Sequence, residues 1–277
     1  RWTQPGRFLA ILGVESGTVP DGSHRNAYYL EPNGIPPILC EDRPPAHDPR
    51  LVRRYNPNTI YCDDLDAFYK TVSRYGGLVT GHFHTRRYDR EILAEIWQKQ
   101  AGCLGEEKRI YRLLNDGFRL GIVAGSDTHD SMPGNPAPEP MCPQSAGLMA
   151  VLSDSVSAQS IRKAIVQRKV YGTTGARIVL HFAANGRQMG SILPAEAPRQ
   201  FDVQVEGSVP LSCVELVRDG RVIQRTETSN TTLQTQFTDQ DRHSHWYLLK
   251  VIQADGHRAW SSPIWFGDSS DQSKEQR

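Results

Sequence analysis

Asp127 and His129 stand two residues apart just after the apolar run 120–124. Their carboxylate and imidazole groups are both common metal ligands. The run predicts a strand, and ligands of α/β proteins gather at the carboxyl ends of strands. Side chains of an extended segment alternate with a period of two, so both groups are expected to face one side. A carboxylate and an imidazole on one side predict a metal site.

Two further apolar runs end in residues of the same kind. One run is followed by His82 and His84, and the run 8–14 is followed by Glu15, with His24 nine residues later. Three strand ends are therefore expected to offer oxygen or imidazole ligands.

The predicted chemistry is hydrolysis assisted by divalent metals. Carboxylate and imidazole ligands favour zinc, manganese or iron over calcium, which prefers oxygen alone. A metal with an open position lowers the pKa of the water it binds to about 7, and a carboxylate such as Glu15 can hold two metals about 4 Å apart. This pattern leaves open whether the small-molecule substrate is a phosphoester, a carboxyl ester or a carbamate.

Composition and charge argue against several other classes of function. The 277 residues carry 32 basic and 31 acidic side chains, a balance that argues against nucleic acid or an anionic membrane as partner. The five cysteines lie far apart without a C-x-x-C pair, so no disulfide framework is expected. The chain begins with Arg1 rather than Met and shows no targeting signal, so we expect a fragment of a longer protein or a processed product.

The first 175 residues show alternating strand and helix patterns. Helical spacing predicts one helix from Leu65 to the glycine pair that starts at Gly76, a second over 106–115, and a third capped by Ser157. This alternation predicts an α/β domain with a largely parallel sheet over residues 1–175.

The remaining chain has the pattern of an all-β domain. Three dipeptides typical of tight hairpins stand at Asn185-Gly186, Asp219-Gly220 and Asp255-Gly256. We therefore predict an antiparallel β-sandwich over 176–267, followed by a disordered polar tail over 268–277.

Six segments carry a family resemblance: GVES (13–16), GSHRNAYY (22–29), GGLVTGHFHT (76–85), GSDTH (125–129), KVYGTTGARI (169–178) and the run 247–265. With these segments the chain resembles the PHP superfamily of metal-dependent hydrolases. Within that superfamily it resembles the DUF3604 group, which is similar to the CehA/McbA-like carbamate and ester hydrolases.

The resemblance implies a fold and a set of ligands. The implied fold is a distorted PHP-type β/α barrel, incomplete at its N-terminus, that holds two or three divalent metals at its strand ends. Glu15 would bridge two metals, with His24 and His82 completing one shell, while Asp127 and His129 would serve the others. Glu15, Asp127 and His129 would then be the catalytic residues.

Two features qualify this assignment. The alignment near His82 can shift by two residues, which would give its role to His84. PHP domains open with an H-x-H on their first strand, and nothing before Glu15 supplies one, so we expect the missing strands in a longer protein. Arg25 and Arg86 adjoin these positions and are predicted to bind an anionic substrate.

The alternative function is a non-catalytic binding protein with a degenerate metal site, in which the β-sandwich recognises a partner. Trp246, Trp260 and Trp265 could line such a surface, although their alternation favours the sandwich core. His243 and His245 form another H-x-H but stand among polar residues at a predicted turn, which favours exposure to solvent.

Overall fold

The chain divides into two compact units, one formed by residues 1–92 with 154–162 and the other by 93–153 with 163–277. The structure is a computed structural model that describes residues 3–4, 6–16, 24–32, 34, 38–40, 59–61, 65–82, 90–98, 106–127 and 147–267.

The described residues form mostly strands. The strands are β1 (Leu12–Ser16), β2 (Arg25–Tyr29), β3 (Ile38–Cys40), β4 (Thr59–Tyr61), β5 (Leu78–Gly81), β6 (Leu93–Trp97), β7 (Gly121–Ala124), β8 (Leu148–Val151), β9 (Val170–Thr173), β10 (Val179–Ala184), β11 (Arg187–Gln188), β12 (Ile192–Leu193), β13 (Arg199–Glu206), β14 (Leu211–Arg218), β15 (Arg221–Glu227), β16 (Thr232–Asp239), β17 (His245–Gln253), β18 (Arg258–Ser261) and β19 (Ile264–Phe266). The helices are α1 (Leu65–Arg74), α2 (Glu107–Asn115) and α3 (Ala158–Val166).

The predicted PHP-type β/α barrel is wrong. Such a barrel needs parallel strands, each followed by a helix, whereas β1 pairs with β2 and β2 with β5 in antiparallel fashion. The described residues include only three helices, of nine or ten residues. Within the second unit, β6 and β7 do pair in parallel, with α2 between them in the chain. Apolar runs indicate where strands lie but not their direction, which is why the local pattern misled the topology.

The first unit builds its core between helix α1 and one face of strands β2 and β5. Leu65, Phe68 and Val72 fall at helical spacing and are buried. They pack against Tyr29 and Val79 in one apolar cluster. The predicted helix from Leu65 is therefore confirmed, and it leaves the other face of these strands for polar side chains.

The second unit contains two β-sheets that share one apolar core. A four-stranded antiparallel sheet has the order β11-β10-β13-β16, and the larger sheet has the order β12-β19-β17-β18-β9-β8, with β14 between β15 and β17. Phe201 and Val203 of β13 lie in the same buried cluster as Tyr247 and Leu249 of β17. The predicted β-rich C-terminal region is thus confirmed, and its two sheets are consistent with a sandwich.

The hairpin dipeptides connect strands as predicted. Asn185-Gly186 joins β10 to β11 and Asp219-Gly220 joins β14 to β15, with positive φ at all four residues. Asp255-Gly256 lies between the antiparallel strands β17 and β18. Positive φ strains most side chains but not glycine, so these dipeptides mark hairpin turns reliably.

The compact units do not part at the predicted residue 175. Strand β9, which ends at Thr173, pairs with β18, and β8 pairs with β9, so residues on both sides of that boundary share a sheet. The tail 268–277 lies outside the described residues. No helix in the described part of the chain is long and apolar enough to cross a membrane.

Candidate metal centre

Three predicted ligands meet on neighbouring strands of the first unit. Glu15 of β1 lies opposite Asn26 of β2, and Asn26 lies opposite Thr80 of β5. His24 comes two residues before Asn26 and His82 two residues after Thr80, and the His82 N–H donates to the His24 carbonyl at 3.3 Å. Paired residues face one side of a sheet and strands alternate with a period of two, so all five side chains share one face.

The ligand atoms are close enough to hold one metal ion. His24 Nδ1 lies 3.0 Å from Glu15 Oε1, and His82 Nε2 lies 3.7 Å from the same oxygen. One ligand atom from each of the three residues falls within 4.8 Å of the others. The imidazole rings of His24 and His82 stack with centroids 5.9 Å apart. Two ligands of one tetrahedral zinc stand about 3.3 Å apart at ordinary bond lengths, so these separations fit a shared ion.

The cluster is anchored on one side and open on the other. The side chain of His82 is 6% exposed, whereas those of Glu15 and His24 are 38% and 49% exposed. Asn26 Nδ2 lies 3.3 Å from His82 Nδ1, which directs Nε2 towards Glu15. Rotation of the Asn26 carboxamide would place its oxygen at Nδ1 to accept a proton there. That arrangement leaves Nε2 as the metal ligand, which is the usual role of a partner behind a ligating histidine.

The opposite face of β2 holds Arg25 in a buried ion pair. Arg25 Nε donates to Glu91 Oε1 at 2.6 Å, and both side chains are 0% exposed. The Tyr69 hydroxyl donates to the same oxygen at 2.5 Å. Burial raises the pKa of Glu91, opposed by the Tyr69 hydrogen bond and the Arg25 charge, and burial next to Glu91 raises the pKa of Tyr69. This burial argues against the predicted contact between Arg25 and a substrate, because the guanidinium fixes β2 on its core side instead.

Asp127 lies in the second unit, after β7. Its carboxylate accepts a hydrogen bond from the Gln98 carboxamide, and its φ of 49° places it in the left-handed region. Glu95 of β6 is buried, and its carboxylate lies so close to Gly125 that a side chain there would collide with it. The predicted strand end therefore does gather polar groups. His84, Arg86 and His129 lie outside the described residues, and their predicted roles stay predictions.

The sequence patterns missed several residues of these clusters. Asn26 and Thr80 were not singled out, although each stands two residues from a predicted histidine ligand and so shares its face. Thr80 is 2% exposed, and its hydroxyl has no hydrogen-bond partner among the described residues. Glu91 and Glu95 lie within or beside an apolar stretch, where a carboxylate is unusual enough to have been a signal.

The predicted burial of the tryptophans is confirmed, whereas the predicted exposure of the second H-x-H holds for only one of its two histidines. Trp246, Trp260 and Trp265 are 4%, 1% and 7% exposed, so they belong to the interior as their alternation predicted. His243 is exposed, as expected, with 89% of its side chain accessible. His245 is not, because only 16% of its side chain is accessible.

Comparisons with known proteins give relatives of unknown function. Three uncharacterized chlamydial proteins are similar to this chain: 30% identical in Chlamydia pneumoniae, 28% in Chlamydia muridarum and 26% in Chlamydia trachomatis. The alignments cover 55–57% of this chain but only 28–29% of the relatives, so the chain spans less than a third of their length. No protein-family model and no solved structure matches the chain.

Proposed function

We propose that this chain is part of a metal-dependent hydrolase that uses water to cleave a phosphoester, carboxyl ester or carbamate in a small molecule. The observation that carries this proposal is the convergence of Glu15, His24 and His82 on one face of three neighbouring strands. The resemblance of the sequence to PHP-type hydrolases suggested the same chemistry, although the barrel of that family is not formed.

The donor set fits a transition metal. Two imidazoles and one carboxylate suit zinc, manganese or iron, and three protein ligands leave a position open for water or substrate. A bound divalent metal would supply a Lewis acid that makes water acidic and polarises the bond to be cleaved. The expectation of two or three metals depends on further ligands, such as Asp127 and His129, and remains part of the proposal.

The residues of the cluster differ in exposure to solvent, and this difference suggests a different role for each. His82, buried and backed by Asn26, would hold the ion in a fixed place. Glu15 and His24 are open to solvent, so a substrate can approach the ion from their side. Glu15 can also accept a proton from an attacking water, because a carboxylate within hydrogen-bond reach serves as a general base.

Metal content after exhaustive dialysis tests the proposal. We expect the wild-type chain to retain zinc, manganese or iron by elemental analysis and Glu15→Ala to lose about one equivalent of it. Glu31→Ala is the matched control, because Glu31 is an exposed carboxylate of the same unit outside the cluster. Equal metal content in the two variants would contradict the site.

Turnover tests the chemistry separately from the ion. Nitrophenyl phosphate, nitrophenyl acetate and nitrophenyl carbamate would be assayed with the loaded chain and with the longest available form of the protein. Hydrolysis of one of these esters that Glu15→Ala abolishes and Glu31→Ala preserves is the expected result. A metal-loaded long form that hydrolyses none of them would reject the hydrolase and leave only a metal-binding protein.

One observation favours the alternative of a binding protein. A groove of about 450 Å³ runs over the four-stranded sheet of the second unit. His181, Asp202, Gln204, Gln234 and Gln236 line it with imidazole, carboxylate and carboxamide groups that could bind a polar ligand. Screening polar ligands such as oligosaccharides by ligand-observed NMR would test this role. Gln204→Ala, which removes a carboxamide from the groove, should weaken the binding of any ligand found.

A further inference from the structure

The turn between β16 and β17 brings a second group of metal-ligating side chains together. Asp241, His243 and His245 each offer a ligand atom, and these atoms lie within 4.8 Å of one another. The turn belongs entirely to the second unit, so it is separate in sequence and in fold from the cluster of Glu15, His24 and His82.

The position of Asp219 sets the tautomer of His245. The Asp219 carboxylate contacts His245 Nδ1 through Oδ2, while its other oxygen accepts the backbone N–H of Trp246 at 3.1 Å. A carboxylate accepts but cannot donate, so the proton of a neutral His245 ring lies on Nδ1. The lone pair then lies on Nε2, the atom on the far side of the ring.

This lone pair faces a second carboxylate. His245 Nε2 lies 3.1 Å from Asp241 Oδ2, but the atom is buried and makes no hydrogen bond with the described residues. A proton on Nε2 shared with Asp241, or a metal ion between the two atoms, would each balance the negative charge there. The separation is close to the roughly 3.3 Å expected between two ligands of one zinc ion. A carboxylate behind the ligating histidine is also the usual support of such a ligand.

The neighbouring charges nearly balance, and Asp241 can be released to a cation. Three carboxylates, those of Asp219, Asp239 and Asp241, stand against three guanidinium groups, those of Arg199, Arg218 and Arg242. Arg218 Nη1 lies 3.1 Å from Asp241 but only 2.8 Å from Asp239, so it keeps a carboxylate partner when Asp241 turns to a metal. Arg242 donates to the carbonyls of Asp239 and Asp241 rather than to their carboxylates. With neutral histidines the group is therefore close to neutral, and binding of a divalent ion would make it positive unless a carboxylate is released from its guanidinium partner.

The backbone of the turn is held in place. The His243 N–H donates to Asp241 Oδ1 at 2.9 Å, and Nδ1 of His243 lies 2.7 Å from the same oxygen. The buried Arg199 donates to the His243 carbonyl at 2.6 Å and lies over the ring of Phe266. The backbone that carries the ligands is therefore ordered before any ion arrives, which lowers the entropy lost on binding.

We propose that Asp241, His243 and His245 form a second binding site for a divalent transition metal such as zinc, supported by Asp219. The site does not depend on the proposed hydrolase function. Asp241 and His243 stand on the turn between β16 and β17, and His245 begins β17, so a bound ion would stabilise the β-rich unit.

Calorimetric titration with zinc, on chain without an affinity tag and in the Glu15→Ala background, tests this site. The background removes the cluster of Glu15, His24 and His82, so the tested site is the zinc binding that is then lost in His245→Gln. His245→Gln should abolish it, and Asp219→Asn should weaken it about 10- to 100-fold, the usual cost of losing a residue behind a ligand. Glu227→Gln is the control, because Glu227 is an exposed carboxylate of the same unit outside both clusters, and it should leave the affinity unchanged.

His243→Gln tests whether loss of zinc binding in His245→Gln is caused by misfolding. Its side chain is 89% exposed, so the change removes a ligand without disturbing the core, and circular dichroism should show no change. We expect its zinc affinity to fall by at least about 10-fold. Absence of zinc binding in the Glu15→Ala chain, or binding that survives both His243→Gln and His245→Gln, would overturn the proposal. Failure of the first cluster alone would show as unchanged metal content in Glu15→Ala.

Discussion

At the scale of single residues, alternate side chains along β2 point to opposite faces of the sheet, one facing the candidate metal ligands and the other the core. His24 and Asn26 face the cluster, while Arg25 between them is buried against Glu91. The same alternation puts Thr80 and His82 on the cluster side of β5. His24 is thus one residue away from Arg25, whose buried ion pair anchors β2, which makes the position of His24 a consequence of core packing.

Replacement of Asn26 tests whether it positions His82. Asn26→Ala is expected to weaken zinc binding at the first cluster about 10- to 100-fold, because His82 loses the group at its Nδ1. Asn26→Asp should restore the affinity, since a carboxylate accepts the Nδ1 proton. Ser73→Ala, on the exposed face of α1, is the control. Unchanged affinity in Asn26→Ala, measured by titration with His245→Gln present to remove the second site, would show that Asn26 has no such role.

At the scale of elements, helix α2 is tied to strand β17 by one ion pair. Lys250 Nζ lies 2.7 Å from Glu107 Oε1, and the Tyr111 hydroxyl donates to the same oxygen at 2.8 Å. Burial opposes ionisation of Glu107, but the Lys250 hydrogen bond and charge outweigh it, and the pKa of Glu107 lies below its ordinary value of 4.5. The contact therefore contributes stability only while Glu107 is ionised.

Glu107→Gln should make this contribution visible as a function of pH. A lowered folded pKa gives stability that is fully present above the ordinary pKa of about 4.5 and is lost as pH falls through the folded pKa. We expect the variant to be about 1–3 kcal/mol less stable than the wild type at pH 7, the range for a hydrogen bond to a charged group. Denaturant unfolding from pH 7 to pH 3 measures the difference, which should shrink towards the acid end. A difference that is constant with pH would refute the account.

At the scale of the whole molecule, the chain contains two compact units, each with its own proposed metal-binding group. Glu15, His24 and His82 belong to the first unit, and the turn that carries Asp241 and His245 belongs to the second. A ligand that binds only the folded state raises its stability, by about 2.7 kcal/mol at a free concentration of about 100 times Kd. We therefore expect each ion to stabilise the unit whose ligands hold it.

Differential scanning calorimetry tests this separation. We expect zinc to raise the melting temperature of both units and EDTA to reverse the rise. Glu15→Ala should remove the shift for one transition, and His245→Gln should remove it for the other. A single variant that removes both shifts would show that the two groups are not independent.

The elements of the chain were predictable to a large extent from local pattern. The helix from Leu65 appears at the predicted place, and so does the strand before His82, because burial on one face imposes a period that the sequence displays. The Asn-Gly and Asp-Gly hairpins appear as well, because positive φ restricts which residues can stand there. Residue type and strand context predict Glu15, His24 and His82 as possible ligands, and the resemblance to PHP-type hydrolases assigns them to one metal.

The topology and the partners of those residues were decided only by tertiary structure. Apolar runs have the same pattern whether neighbouring strands run parallel or antiparallel, so the β/α barrel could not be distinguished from the antiparallel pairing of β1, β2 and β5. The burial of Arg25 depends on Glu91, 66 residues away in the chain, and that of His245 on Asp219, 26 residues away. Sequence alone determined which residues could do chemistry and the local elements that carry them. The tertiary structure decided which of them meet, because long-range packing chooses the neighbours of every strand.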